Sequence, residues 1–287
     1  MIRAAINRLR NFLFPRAAVR FFISNWLVPG DVARAAEVFA TMRTGSVVKP
    51  RIVPGPKAAR IVVIAPHPDD EVIGPGGTLL RAAATGASVT CLYVTDGDEI
   101  AGDAAGRRGE AQTAANKCGF QAVFLGESSS AIKHDEQAAK RLAEAIQRAK
   151  PEALFVPFLL DDNDDHRRVN QLLFTALRRG LLPAGLELWA YHIYAPLPGN
   201  AVVDITDMAE RKRAAIRLYA TQTAKRDWAH FALGINAVNS RVLPGSSEAR
   251  YAESFFVMPL RDYAQLCAAF FEPDATPCYL WKPYRRA

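Results

Sequence analysis

Two short clusters of imidazole and carboxylate side chains stand apart from the rest of this sequence. The first is His67-Pro68-Asp69-Asp70, and the second is the acidic stretch 161–165, which is followed by His166. Two imidazoles and one carboxylate suit Zn²⁺, which in catalytic sites takes three protein ligands and keeps one position for water. A further carboxylate beside such a site can accept a proton from that water and pass it to a leaving group. The two clusters therefore predict a hydrolytic metal site with a neighbouring base.

The elements around both clusters alternate between strands and helices. Residues 60–65 form a continuous β-branched run that is typical of a buried parallel strand, and residues 153–158 predict another. Further strands are predicted over 88–95, 121–125, 187–194 and 251–259, and helices over 74–84, 107–118, 135–150, 169–179 and 208–221. This alternation predicts an α/β fold with a mostly parallel sheet and helices on both faces. Such sheets place sites at the carboxyl ends of their strands, where both clusters fall.

Each cluster taken alone has a simpler interpretation. The first could be a turn in which an Asp caps the next helix, and residues 161–166 could be a solvated acidic loop. We favour the metal site because both clusters follow strands of one parallel sheet. A thiolate zinc site is not predicted, because the four cysteines form no CxxC pair.

Composition sets broad limits. The chain has 287 residues and a formal net charge of +7, enough length for one domain with an appended segment. This positive charge is compatible with binding to an anionic membrane surface, a phosphorylated substrate or nucleic acid. It is equally compatible with a basic enzyme that has no polyanionic partner. No nucleic-acid partner is expected, because the basic residues are scattered and no recognition motif is visible. No sequence pattern indicates the oligomeric state.

Residues 1–29 have apolar side chains at helical spacing, interrupted by arginines and flanked by aromatic residues. Such a helix can lie in a membrane interface, or it can pack on the body of the protein or on another subunit. Neither a secretory signal nor a transmembrane span is expected. We predict a cytoplasmic protein, and peripheral contact with the inner face of an anionic membrane is one of the two open alternatives. The predicted division is 1–50 for the helical segment and linker and 51–287 for the catalytic domain.

The segment 65–71, Ala-Pro-His-Pro-Asp-Asp-Glu, resembles the signature of the PIG-L family, the LmbE-like N-acetylglucosaminyl deacetylases. Weaker similarities follow in the family's order: Thr95-Asp96-Gly97, Arg107-Arg108-Gly109-Glu110-Ala111, Asp165-His166-Arg167, Asp204-Ile205-Thr206, Lys212, Tyr219-Ala220-Thr221-Gln222 and Ala252-Glu253-Ser254-Phe255. The resemblance implies a Rossmann-like three-layer sandwich without a dinucleotide site. The absence of G-x-G-x-x-G after the strand 60–65 agrees with this.

The resemblance also implies the roles of individual residues. It makes His67, Asp70 and His166 the ligands of one Zn²⁺ per chain, with Fe²⁺ as the alternative in the cell. Asp69 would be the general base and later the acid. Arg107 would bind sugar hydroxyls, with Arg108 as the less favoured alternative. Apart from the resemblance, Asp98 and His192 are further predicted substrate contacts.

One position departs from the family pattern. Many members carry a His three residues before the last ligand, where this chain has Asn163. An Asn amide can donate one hydrogen bond to a developing oxyanion, but it cannot carry a charge. Asn163 is therefore a candidate catalytic residue, with His192 as an alternative donor. Asp165 could orient a ligand imidazole.

The expected function is removal of an acetyl group from an N-acetylated amino sugar, on a glycolipid or a cell-envelope glycan precursor. Two alternatives stay open. One is a zinc amidase for a non-sugar N-acyl substrate, and the other is a catalytically weakened carbohydrate-binding protein. The second alternative is disfavoured because His67, Asp69, Asp70 and His166 are all intact, whereas Asn163 slightly favours it.

Overall fold

The computed structural model describes residues 50–97, 104–194 and 199–272, together with Arg34 and Val38. The segment 1–29, Asp98 and the tail 273–287 lie outside the described residues, and the division at residue 50 stays a prediction. Among the described residues, no helix has both the length and the apolar character that crossing a membrane requires.

An eight-stranded sheet forms the middle layer. Its strands are β1 Arg51–Ile52, β2 Arg60–Ala65, β3 Ser88–Thr95, β4 Phe120–Glu127, β5 Ala153–Pro157, β6 Glu187–Tyr191, β7 Ala201–Asp204 and β8 Ala252–Pro259. Their spatial order is β1-β7-β8-β6-β5-β2-β3-β4, and in this described sheet β8 alone runs antiparallel to its neighbours. The chain builds outward from β2 to β4 and then returns to β5 on the other side of β2. This reversal is the switch point at which open α/β sheets place their sites.

The sequence of β2 explains why it lies at the centre. Val62 and Ile64 pack into the core on one face of the sheet, and Ile61 and Val63 pack into the core on the other. Both faces of a central parallel strand are covered, so every position favours a β-branched or apolar side chain. The strand pairs in parallel with β3 and with β5.

Helices cover both faces of the sheet. The α-helices are α1 Asp70–Ile73, α2 Gly76–Ala84, α3 Ala104–Cys118, α4 Glu136–Ala149, α5 Asp164–Arg178, α6 Ala209–Ile216, α7 Ala220–Thr223, α8 Trp228–Asn239 and α9 Leu260–Phe271. Apolar side chains of α4, α5 and α9 share one core, and those of α1, α2, α3, α6 and α8 share the other. The predicted fold, a three-layer α/β sandwich with a mostly parallel sheet, is confirmed.

Four predicted elements need correction. The helix predicted over 208–221 is two helices, because α6 ends at Ile216 and α7 begins at Ala220. The helix predicted over 169–179 begins at Asp164, because the side chain of Asn163 caps it by accepting the backbone N–H of Asp165. His166 therefore lies in the first turn of a helix, where the sequence predicted a loop. The predicted linker 48–60 contains β1, which pairs with β7. The elements β7, α8 and α9 were not predicted.

A buried ion pair stabilises the turn between α1 and α2. Lys212 Nζ lies 2.7 Å from Glu253 Oε1 and also donates to the carbonyl of Gly74. The Glu253 carboxylate accepts the backbone N–H groups of Gly77 and Thr78, at the start of α2. These N–H groups have no partner inside the helix, so the carboxylate satisfies them and holds the turn that follows α1.

Candidate metal centre

The two clusters meet at the carboxyl ends of β2 and β5. His67 lies just after β2, Asp70 begins α1, and His166 lies in α5. One ligand atom from each of the three lies within 4.8 Å of the others, and all three side chains are buried. Asp70 Oδ2 lies 3.2 Å from His67 Nδ1 and 3.3 Å from His166 Nε2. The three donors therefore surround one point at the switch point of the sheet.

The donor set fits a divalent cation. Among the described residues, the buried Nε2 of His166 has Asp70 Oδ2 at 3.3 Å but no contact with the geometry of a good hydrogen bond, which buried imidazole nitrogens normally have. A cation shared with His67 and Asp70 would satisfy this atom. Two imidazoles and one carboxylate suit both Zn²⁺ and Fe²⁺.

Two further carboxylates hold the ligand imidazoles. Asp165 Oδ2 lies 3.0 Å from His67 Nε2, and Asp161 Oδ2 lies 2.6 Å from His166 Nδ1. Carboxylates in this position fix the orientation and tautomer of a metal-binding imidazole. The geometry agrees with the orienting role predicted for Asp165. Sequence reasoning missed the same role for Asp161, which it saw only as one of several acidic residues.

The electrostatics of the centre favour positive charge. Burial lowers the pKa of His166, but the carboxylates of Asp70 and Asp161 outweigh burial and raise this pKa to about 9. Burial raises the pKa of Asp70, but His166 and His67 hold it below its usual range. The same field that favours a proton on His166 would favour a metal cation in its place, since metal ligands bind in their deprotonated form.

Asp69 adjoins the ligands in a strained backbone conformation. Its φ of 114° and ψ of −24° are rare for a residue other than glycine, and such strain is concentrated at functional sites. Its side chain makes no capping hydrogen bond to α1, so the alternative of a helix cap lacks support. Burial and the neighbouring Asp70 raise the pKa of Asp69 well above its ordinary value, although Arg107 opposes them. A buried carboxyl with a raised pKa suits a residue that gains and loses a proton.

Glu71 and Tyr219 support this strained residue. Glu71 Oε2 accepts the backbone N–H of Asp69, and its Oε1 accepts the hydroxyl of Tyr219. Tyr219 OH also lies 3.3 Å from the hydroxyl of Tyr93. Glu71 and the two tyrosines are fully buried, so their hydrogen bonds are shielded from competing water. Sequence reasoning noted both Glu71 and Tyr219 but did not connect them.

Removing the Tyr219 hydroxyl should therefore weaken catalysis without removing metal. We expect Tyr219→Phe to lower kcat about tenfold, the equivalent of roughly 1.4 kcal/mol, with KM and metal content close to those of the wild type. Steady-state kinetics and metal analysis measure these quantities. Tyr251→Phe is the control, because it makes the same chemical change at a partly buried tyrosine whose hydroxyl has no hydrogen bond to the described residues, and thermal unfolding compares the stability of both variants. An equal fall of kcat in both variants would mean that general destabilisation is responsible.

Arg107 connects the loops that follow β2 and β3. Its Nη2 donates to the carbonyl of Pro68, its Nη1 donates to that of Gly97, and Nη2 lies 3.8 Å from Asp69 Oδ2. Gly97 has φ +71°, and a Cβ there would lie 2.4 Å from the guanidinium carbon, so another side chain would strain the backbone and displace the guanidinium. The guanidinium is thus placed beside Asp69, and its contact with a sugar hydroxyl stays a prediction.

The other predicted contact residues have different surroundings. Asn163 is half-buried, and its side-chain oxygen is used by the helix cap, which leaves the amide N–H₂ group for a substrate. His192 is buried with its Nε2 3.4 Å from Asn239 Nδ2, and burial lowers its pKa to about 4. It is therefore neutral near pH 7. Asp98 lies outside the described residues.

The fold and these donors define a class: an α/β protein with a buried candidate metal centre at the switch point of its sheet. Within that class, residues 62–177 match the family PIG-L: GlcNAc-PI de-N-acetylase, so the chain carries a PIG-L family domain. The predicted family is confirmed.

Proteins similar to this chain include three deacetylases. Diacetylchitobiose deacetylase of Thermococcus kodakarensis is 27% identical over 192 residues, which cover 59% of this chain and 72% of the relative. The structure of N,N'-diacetylchitobiose deacetylase from Pyrococcus horikoshii, complexed with its inhibitor MPG, superposes with a TM-score of 0.63 and 25% identity, covering 80% of this chain and 94% of that one. The 1D-myo-inositol 2-acetamido-2-deoxy-alpha-D-glucopyranoside deacetylase of Rhodococcus erythropolis is 49% identical over 49 residues, 16% of this chain and 17% of the relative.

Proposed function

We propose that this chain is a zinc-dependent deacetylase of N-acetylated amino sugars. The observation that carries the proposal is the buried triad of His67, Asp70 and His166 beside the strained, buried Asp69. The similar deacetylases support the enzyme class. The substrates in the names of two of the relatives, diacetylchitobiose and a 2-acetamido-glucopyranoside, are both N-acetylated amino sugars.

We propose the following roles for the residues. A Zn²⁺ held by the triad would supply a Lewis acid for an amide carbonyl and for water. Asp69 takes a proton from the attacking water and gives it to the departing amine, as its raised pKa favours. Arg107 opposes that rise, which keeps the basic form of Asp69 accessible. Asn163 donates its amide N–H to the developing oxyanion.

The substrate, the membrane contact and the metal used in the cell are proposed as follows. We propose a glycolipid or cell-envelope glycan precursor as substrate, reached from the cytoplasmic side of a membrane. The net charge of +7 and the basic, aromatic segment 1–29 support contact with an anionic surface. The metal in the cell would be Zn²⁺, with Fe²⁺ as the alternative.

Acetate release from a small substrate panel tests the function. With Zn²⁺ present, we expect the chain to release acetate from N,N'-diacetylchitobiose and from N-acetylglucosamine, but not from the non-sugar control N-acetyl-lysine. A chelator should lower the rate at least about 100-fold, and added Zn²⁺ should restore it, because metal catalysis contributes several kcal/mol.

Other outcomes would favour the alternatives. Release from N-acetyl-lysine alone would favour an amidase for non-sugar substrates. Binding of the sugars without acetate release would favour a carbohydrate-binding protein. Turnover that the chelator does not affect would contradict the metal-dependent mechanism.

A further inference from the structure

A row of aromatic rings begins at the candidate metal centre. The ring centroid of Tyr194 lies 5.6 Å from that of His166, and the next ring, Trp228, lies 6.0 Å from Tyr194. Phe231 continues the row, with its centroid 5.5 Å from Trp228. We call Tyr194, Trp228 and Phe231 the aromatic strip.

The strip runs from a buried ligand to partly exposed rings. His166 is fully buried, whereas each ring of the strip keeps part of its surface exposed. Tyr194 and Trp228 also pack against one core of the protein, which holds them in place. The strip therefore offers rigid apolar surface next to the reacting centre.

Two separate parts of the chain build the strip. Tyr194 follows β6, where its backbone N–H donates to Asp161, the carboxylate that holds His166. Trp228 and Phe231 lie three residues apart on α8 and so share one face of that helix. The side chain of Asp227 caps α8 by accepting the N–H of His230, which fixes the first turn that carries Trp228.

A cation borders the apolar surface. The guanidinium carbon of Arg226 lies 5.1 Å from the Trp228 ring centroid, within the range of a cation–π contact. Aromatic faces beside hydrogen-bond donors match the chemistry of a sugar ring, which has an apolar C–H face and a rim of hydroxyl groups. A purely apolar partner would leave the donors of Arg226 unused.

We propose that the aromatic strip binds a second sugar ring, linked to the N-acetylated ring whose acetamido group lies at the metal centre. This inference rests on the proposed function and narrows its substrate to an N-acetylated disaccharide or a longer glycan. Trp228 is then a specificity-determining residue, because a monosaccharide that occupies the metal centre does not extend to it.

The test compares one variant on two substrates. Trp228→Ala should lower kcat/KM for N,N'-diacetylchitobiose about tenfold, as the loss of one stacking contact predicts, and change kcat/KM for N-acetylglucosamine less than about twofold. Trp228→Phe keeps an aromatic face and should retain most of the activity on the disaccharide. Phe231→Ala is the second variant if Trp228→Ala fails to fold, and it should affect the same substrate. An equal loss on both substrates, or no loss on either, would overturn the proposal.

Calorimetry separates this inference from the proposed function. If the wild type releases no acetate from either sugar, the proposed function fails. The binding role of the aromatic strip is then tested by the affinity for N,N'-diacetylchitobiose alone, measured by calorimetry. Weaker binding to Trp228→Ala than to the wild type, with Trp228→Phe close to the wild type, would support the strip. Equal binding to wild type and Trp228→Ala, or no binding to the wild type, would refute it.

Discussion

Asp69→Asn should reduce kcat by about 10²–10⁴-fold, the range that general acid–base catalysis contributes, and leave the metal content unchanged. The amide of Asn has nearly the shape of the carboxylate but cannot accept the proton of the attacking water. Asp69 is not one of the three clustered donors, so the site that holds the metal keeps all of its ligands. Asn also tolerates a positive φ better than most residues, so the strained backbone of Asp69 should persist.

The measurement pairs acetate release with metal analysis on the same samples. Asp164→Asn is the matched control, because it makes the same chemical change in the second acidic cluster at a side chain that is 68% exposed. The control should keep the activity of the wild type. Normal turnover by Asp69→Asn would show that another group is the base, and loss of metal would show that Asp69 is a ligand.

His166→Ala should abolish metal binding. We expect about one Zn²⁺ per wild-type chain and almost none in the variant after dialysis, because the change removes one of the three predicted protein ligands. Acetate release should fall with the metal. Elemental analysis measures the metal, and circular dichroism checks that the variant is folded.

Two further variants sharpen this result. Asp161→Asn keeps all three ligands but weakens the hydrogen bond that orients His166, and it should lower the affinity for Zn²⁺ about 10–100-fold. His230→Ala removes an exposed histidine of α8 and should bind metal like the wild type. Full metal content in His166→Ala would contradict the assignment of the triad.

The features that sequence reasoning predicted are those with a local pattern. The β-branched run of β2 and the apolar run of β3 gave the bounds of both strands correctly, because a central parallel strand is buried on both faces. The strand–helix alternation placed both clusters at strand ends of one sheet. His67, Asp70 and His166 could be named because the first cluster resembles a family signature, and the geometry brings them together.

The features that the sequence did not predict depend on contacts between distant parts of the chain. Tyr219 and Glu71 are 148 residues apart, and neither flanking sequence indicates that they meet. The start of α5 is ambiguous in the sequence, because an Asn at position 163 fits a catalytic role and is also among the best helix caps. The helix α8, which carries Trp228, has apolar residues around most of its surface and hence little periodicity to detect.

Anomalous diffraction from crystals grown with Zn²⁺ tests the central claim most directly. We expect one strong zinc peak at about 2.0–2.2 Å from Nδ1 of His67, the carboxylate of Asp70 and Nε2 of His166, with the Asp69 carboxylate outside bonding distance of the metal. A zinc peak that lacks any of these three ligands, or no peak between β2 and β5, would contradict it.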